Sequence, residues 1–175
     1  MSDLYYARTC FTTKGEPFYR PLCDIEKRGK LFSWADHLLD VFPKDKRRRV
    51  ATASYSEVDL KWCKGATHLP IGDVHPISAH VDLALTDSAY SVLRQWLEPY
   101  GDFYAARNIS NESKVWLYII WSYIDIKYIQ EQHKPILGIP SNDVYKGAML
   151  VNNEMKNVFN TAALKGLCFS PLQKE

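Results

Sequence analysis

Gly147-Ala-Met-Leu-Val-Asn-Asn-Glu-Met-Lys-Asn-Val-Phe-Asn-Thr-Ala-Ala-Leu-Lys-Gly-Leu-Cys-Phe-Ser-Pro-Leu172 is the stretch that decides the fold. It reads as a short strand, a capped helix, a glycine stop and a second short strand. Asn152 or Asn153 can accept a backbone N–H of the first helical turn, and Glu154 suits the positive end of the helix dipole. Met155, Val158, Phe159 and Ala162 fall on one apolar stripe of helical period. Gly166 is expected to take the left-handed conformation that ends the helix, with Lys165 close to the last carbonyls. Leu167, Cys168 and Phe169 then fit a strand that Pro171 breaks.

A fainter copy of this grammar lies upstream. His80-Val-Asp-Leu-Ala-Leu85 alternates as a strand, Thr86 is a candidate cap, and Ala89, Val92, Leu93, Trp96 and Leu97 form a helical stripe. Gly101 is expected to close that unit before extended structure resumes at Asp102. The parallel suggests an internal strand–helix–strand duplication. Between the copies, Val115-Trp-Leu-Tyr-Ile-Ile-Trp-Ser-Tyr-Ile-Asp125 reads as one long strand. Val115, Leu117, Ile119, Trp121, Tyr123 and Asp125 share one face; Trp116, Tyr118, Ile120 and Ile124 share the other. Two apolar faces imply a central strand covered on both sides. Residues 108–113 read as the loop of a hairpin that joins this strand to 103–107.

Working outward, residues 2–30 suggest a strand, a turn over Lys14-Gly-Glu-Pro17 and a further extended run. Residues 34–42 suggest a short helix capped by Ser33 and ended by Pro43, and 49–55 an extended segment. Residues 65–76 look like loop, and 127–132 like a helical turn before Pro135. No linker or low-complexity stretch interrupts the 175 residues. The expectation is one α+β domain over 1–175, with a mostly antiparallel central sheet and a few packed helices.

Composition excludes several classes. With 46% hydrophobic and 24% charged residues the chain is neither disordered nor fibrous. No apolar run is long enough to span a bilayer, and Met1-Ser-Asp-Leu-Tyr-Tyr does not read as a signal peptide, so a cytoplasmic protein is expected. On that basis Cys10, Cys23, Cys63 and Cys168 are expected to be reduced structural thiols. The net charge is +2, yet residues 44–49 carry five positive charges and one negative, which leaves the rest of the chain at −2.

Candidate chemistry is sparse. His68, Asp73, His75, His80 and Asp82 crowd one region, the basis of an alternative reading as a metal-dependent hydrolase, but their spacing matches no ligand pattern. The 44–49 run supports a second alternative, a nucleic-acid-associated factor, though it is a single loop without a recognised nucleic-acid-binding signature. There is no nucleophile elbow, phosphate loop or dinucleotide fingerprint. The expectation is no enzyme activity, no cofactor and no metal. Five Trp, eleven Tyr and seven Phe supply the aromatic anchors that binding hot spots use. Trp121, Tyr123, Asp125, Tyr128, Asp102 and Arg107 are the candidate partner contacts.

Three segments together resemble a family. Val81-Asp-Leu-Ala-Leu-Thr-Asp-Ser88 leads to Leu93 and Tyr100-Gly-Asp-Phe103; the hydrophobic run 115–125 follows; Met149-Leu-Val-Asn-Asn-Glu-Met-Lys156 then leads to Leu164-Lys-Gly-Leu-Cys-Phe169. The pattern over 79–172 is similar to the immunity proteins of bacterial polymorphic toxin systems. The group in question was once catalogued only as a domain of unknown function, with a helix–Leu–Lys–Gly–Leu–x–Phe ending. Residues 1–78 form a variable N-terminal part. The resemblance implies a cytoplasmic protein that binds a cognate toxin domain, occludes its active site and performs no catalysis. The family pattern carries an Asp-rich segment after the hydrophobic strand; here Asp125 stands alone before Ile126 and Lys127, so no binding residue is carried over.

Overall fold

A computed structural model describes residues 3–15, 17–19, 22–24, 59–62, 68–76, 82–108, 112–120, 123–141 and 148–172. The expected helix at 34–42, the extended segment at 49–55, the basic run 44–49, Trp121 and His80 lie outside the described residues. The strands are β1 (Leu4–Thr9), β2 (Leu22–Asp24), β3 (Asp59–Trp62), β4 (Val74–Pro76), β5 (Asp82–Leu85), β6 (Gly101–Asn108), β7 (Ser113–Ile120), β8 (Tyr123–Ile124), β9 (Leu137–Pro140), β10 (Leu150–Asn152) and β11 (Leu167–Pro171). The helices are α1 (Asp87–Leu97), α2 (Ile126–Glu131) and α3 (Asn153–Thr161).

The strands build two sheets, ordered β2-β3-β6-β7-β5-β4 and β11-β1-β10-β9-β8. All neighbours run antiparallel except β3 with β6 and β8 with β9. The fold is therefore α+β and mostly antiparallel, as the sequence suggested, but divided between two sheets. Both sheets and both long helices feed one core. Leu83, Leu85 and Tyr118 from the larger sheet meet Leu93 and Leu97 of α1, Val151 and Leu137 of the smaller sheet, and Met155 and Phe159 of α3.

The two strand–helix–strand stretches share a topology. β5-α1-β6 encloses β7, which pairs antiparallel with both of its strands, and β4 flanks β5. β10-α3-β11 encloses β1 in the same way, and β9 flanks β10. The two units differ in where the inserted strand comes from: β7 follows its unit in sequence, whereas β1 comes from the other end of the chain.

Several expectations change. The 115–125 run is not one strand: β7 stops at Ile120, and Tyr123 and Ile124 join the other sheet. Its apolar residues are divided between two sheets, and no Gly or Pro marks the crossing. Within β7 the two-faced burial holds, with Tyr118 and Ile120 in the main core and Val115, Leu117 and Ile119 in a second cluster around Leu60 and Ala84. Part of the expected loop at 65–76 is strand β4, which pairs with β5.

Neither glycine ends its helix. Gly101 begins β6, where a Cβ would strike the Tyr118 ring and the Ile119 carbonyl oxygen. α3 instead ends in a Schellman turn. Ala163, at φ +52°, donates to the Asn160 carbonyl at 3.1 Å, and Leu164 donates to the Phe159 carbonyl at 3.0 Å. Gly166, at φ +122°, is required elsewhere, because a Cβ there would collide with the Val74 carbonyl oxygen. At this point the sheets are stitched together: Asp73 N and Val74 N both donate to the Lys165 carbonyl, at 2.8 and 3.0 Å, and Lys165 N donates to Asp73 Oδ2 at 2.9 Å.

The largest correction concerns the thiols. Cys10 and Cys168 form a disulfide with a Cα–Cα distance of 5.1 Å across 158 positions of sequence. The β1–β11 ladder, paired from Tyr5↔Pro171 to Thr9↔Leu167, brings them together. An argument from compartment alone could not anticipate that juxtaposition.

Asn152 joins three parts of the chain through one side chain. It is fully buried and caps α3: its Oδ1 accepts from Met155 N at 3.1 Å and from Ile136 N at 3.0 Å. Its Nδ2 donates to the Lys134 carbonyl at 2.8 Å. Thr86, half-buried, caps α1 through the simpler bond from Ala89 N at 3.3 Å. In urea unfolding, Asn152→Asp should cost about 3–5 kcal/mol, because a buried oxygen then faces the Lys134 carbonyl. Thr86→Ala should cost about 1 kcal/mol. Ala163→Gly should raise stability by about 1 kcal/mol by relieving the left-handed alanine.

Candidate functional site

The end of the β6–β7 hairpin, the start of α1 and strand β4 meet around a half-open cleft of about 370 Å³. Three physical facts place its walls. The Thr86 cap fixes the first turn of α1, so Asp87 and Ser88 lie at the rim. The β6–β7 register, Arg107↔Lys114 and Asn108↔Ser113, brings Asn108 and Lys114 to the same end. The pairing of β4 with β5, His75↔Ala84, turns His75 to the floor against Trp62 of β3.

His75 is buried, and its ring meets Trp62 edge-on at 5.4 Å and 68°. Its Nε2 lies 2.8 Å from the Gly72 carbonyl, so Nε2 carries the proton and donates. Burial lowers its pKa from 6.5 to about 4, against the weaker opposing influence of the Gly72 carbonyl and the Asp73 charge. Asp87 Oδ1 accepts from Trp116 Nε1 at 2.6 Å. Lys114 Nζ sits 3.9 Å from the centre of the Trp116 ring, and Tyr90 stacks on Trp116 at 4.0 Å and 9°. Thr86 Oγ1 and Ser88 Oγ share a hydrogen bond of 2.9 Å. The carboxylate of Asp87 and the ammonium of Lys114, both in the cleft lining, are thus held in place by the Trp116 indole beside it.

The residues singled out from sequence scatter. Asp125 caps α2, its Oδ1 accepting from Tyr128 N at 3.2 Å. Tyr123, half-buried in β8, packs against the main core. Tyr128 is exposed and its phenol neighbours Tyr100, whose hydroxyl is raised well above the usual range by burial, with Tyr128 a further cause. Asp102 lies towards this end of β6, where its charge acts on Tyr118. Arg107 does not join it: five residues along a strand put it about 17 Å away, paired with Lys114 at the cleft end. Of the proposed metal ligands, His68 is exposed, Asp73 is engaged with Lys165, and the Asp82 side chain and His80 lie outside the described residues. Among the described residues no three His, Cys, Asp or Glu side chains gather as a metal site would need.

Of the exposed large apolar side chains, sequence reasoning singled out Tyr128 and missed Phe11, Phe18 and Ile71. Phe11 is 56% exposed, Phe18 50%, Ile71 49% and Tyr128 40%. Phe11 and Phe18 stand on a small hairpin formed by the Phe11↔Pro17 bridge and the bond from Phe18 N to the Cys10 carbonyl at 2.9 Å. The Tyr19 side chain packs beside Gly72, which brings that hairpin to the segment carrying Ile71, and Ile71 lines the cleft. The available signal was two phenylalanines flanking Thr-Thr-Lys-Gly-Glu-Pro, where a turn leaves large side chains without a core to enter.

No family model matches the chain, and no curated protein matches it.

His75 makes folding pH-dependent. The unfolded imidazole titrates at 6.5 and the folded one near 4, so between these values the unfolded chain binds the extra proton. Stability from the neutral ring is complete above pH 6.5 and is lost as pH falls towards 4, by about 3 kcal/mol in all. Urea unfolding of the wild type should show this slope, and His75→Gln, which can still donate to Gly72, should flatten it.

Proposed function

We propose that the chain is a binding protein of the immunity type, which neutralises a cognate bacterial toxin domain by covering its working surface. The observation that carries this reading is the exposure of Phe11, Phe18 and Ile71, large apolar side chains each about half exposed, with Ile71 in the lining of the half-open cleft. Exposed aromatic and aliphatic anchors, with the charges of Asp87 and Lys114 sharing the cleft of Ile71, match the anatomy of a protein-binding hot spot. The resemblance of residues 79–172 to immunity proteins supplies the class of partner. The mutual engagement of Asp87 with Trp116, and of His75 with Gly72, favours a surface that recognises over one that reacts.

Among the described residues no helix is long and apolar enough to cross a membrane. The same proposal places the protein in the cytoplasm, beside a toxin that acts there. Cytoplasmic thiol pools keep most cysteine pairs reduced. The oxidation state of Cys10 and Cys168 in protein isolated under alkylating conditions therefore tests the compartment separately from the function.

The product of the reading frame immediately upstream is the defined partner to test. Purified, it should bind the chain and lose its toxic activity. Phe18→Ser and Ile71→Ser should each weaken that binding by about 30-fold, the cost of losing a 2 kcal/mol hot spot, while leaving unfolding midpoints nearly unchanged. A neighbouring toxin that is neither bound nor neutralised, or one bound equally by both variants, would defeat the proposal.

A further inference from the structure

We propose that the Cys10–Cys168 disulfide is a redox latch on the Phe11/Phe18 hairpin: closed, it fixes the hairpin as a docking surface, and opened, it releases the hairpin and weakens partner binding. The proposal rests on the reading of that hairpin as part of the partner-binding face.

β1 is paired with β11 as far as Thr9↔Leu167, so Cys10 is the first residue beyond the ladder. Its sulfur crosses back to Cys168, a residue inside β11 opposite Arg8. Three bonds beyond that point run within the hairpin. Gly15 N donates to the Thr12 carbonyl at 2.9 Å, Lys14 N to Thr12 Oγ1 at 3.3 Å, and Phe18 N to the Cys10 carbonyl at 2.9 Å. Phe11 and Phe18 point outward, so burial of these large side chains contributes little to anchoring it. The covalent bond sits at the base of the segment and the Tyr19 side chain beside Gly72 holds its far end, so the turn between them is the part that tethering at Cys10 governs.

The remainder of β1 has other holds. It pairs with β11 on one side and β10 on the other, Arg8 Nη2 donates to Ser170 Oγ at 2.7 Å, and Phe169 packs on Phe159 at 5.3 Å. Opening the disulfide removes none of these contacts. The expected response is local: the ladder stays and the hairpin loosens.

The chemistry balances as thiol–disulfide exchange with a dithiol reductant. Cys10 is buried and Cys168 half-buried, so the incoming thiolate attacks Cys168 Sγ. A mixed disulfide forms there, and Cys10 leaves as a thiolate and takes up a proton. The second thiol of the reductant then displaces Cys168. The protein disulfide gains two electrons and two protons, and the dithiol becomes a disulfide. Because linkage is reciprocal, a partner that prefers the closed form protects the disulfide from reduction by the same factor.

The test compares oxidised protein, protein reduced with dithiothreitol, and the Cys10→Ser/Cys168→Ser double variant. In the oxidised protein, amide order parameters over residues 11–18 should be near the rigid value of about 0.85; in the other two they should fall below about 0.6, while Leu93 and Phe159 stay rigid. A hairpin equally ordered in all three, or equally mobile in all three, overturns the latch. So does loss of rigidity at Leu93 and Phe159, which would mean that the bond holds the whole fold. With the upstream toxin as probe, the oxidised protein should bind about tenfold more tightly than the reduced, within the usual range of coupled equilibria. Equal affinity in both states overturns the latch. Binding in neither state defeats the docking reading instead, and the order parameters then decide the latch by themselves.

Discussion

The side-chain amide of Asn152 is the constraint on which the smaller sheet depends. Its oxygen serves two backbone donors, Met155 N at the start of α3 and Ile136 N before β9, and its nitrogen serves the Lys134 carbonyl. A carboxylate could cap the helix but has no proton for the Lys134 carbonyl, and a hydroxyl must donate and accept from a single oxygen; an amide offers its acceptor and its donors on separate atoms that reach all three partners. One buried residue thereby fixes the direction of α3, the register of β10, and the path of the chain from α2 into β9. Thr86 holds the equivalent position in the other unit but bonds only within the first turn of its own helix, to Ala89 N and Ser88 Oγ, so the two units are held together unequally.

That asymmetry bears on how the halves meet. The larger sheet presents β4 at its edge and the smaller presents β11, and the seam between them is made by Asp73 and Lys165 across Gly166. Asp73 also accepts from Thr86 N through its carbonyl, so the cap of α1 is tied to the same seam. The cleft opens next to it, because Ile71, His75 and the start of α1 are positioned by the residues that close the junction. The candidate binding face is thus a consequence of how two similar units are joined, and it draws on residues of both β4 and α1.

Much of this was legible because it is local. The caps at Thr86 and Asn152, the apolar stripes of α1 and α3, the β6–β7 hairpin and the turn at α2 all follow from periodicity and end chemistry within a dozen residues. What escaped depends on contacts between distant parts of the chain. Gly166 looks like a helix stop, but its freedom is required by Val74, far away in sequence. Cys10 and Cys168 give no hint of each other until β1 lies against β11. The run after Ile120 continues in β-forming residues while the chain changes sheets, so composition could not show the break. Of the six partner contacts chosen from sequence, Asp125 is used as a cap and Tyr123 packs against the core, whereas Phe11, Phe18 and Ile71 were passed over because an apolar residue in isolation suggests burial.

The position of β1 has a consequence for synthesis. As the inserted strand of the second unit, it pairs Leu4 with Asn152 and Tyr5 with Pro171. It leaves the ribosome long before β10 and β11 exist, and at ordinary elongation rates it waits on the order of ten seconds for them. During that interval the first unit, whose strands and helix are close neighbours in sequence, can already assemble. A tyrosine-rich strand with both edges open is then exposed to wrong pairings until its partners arrive.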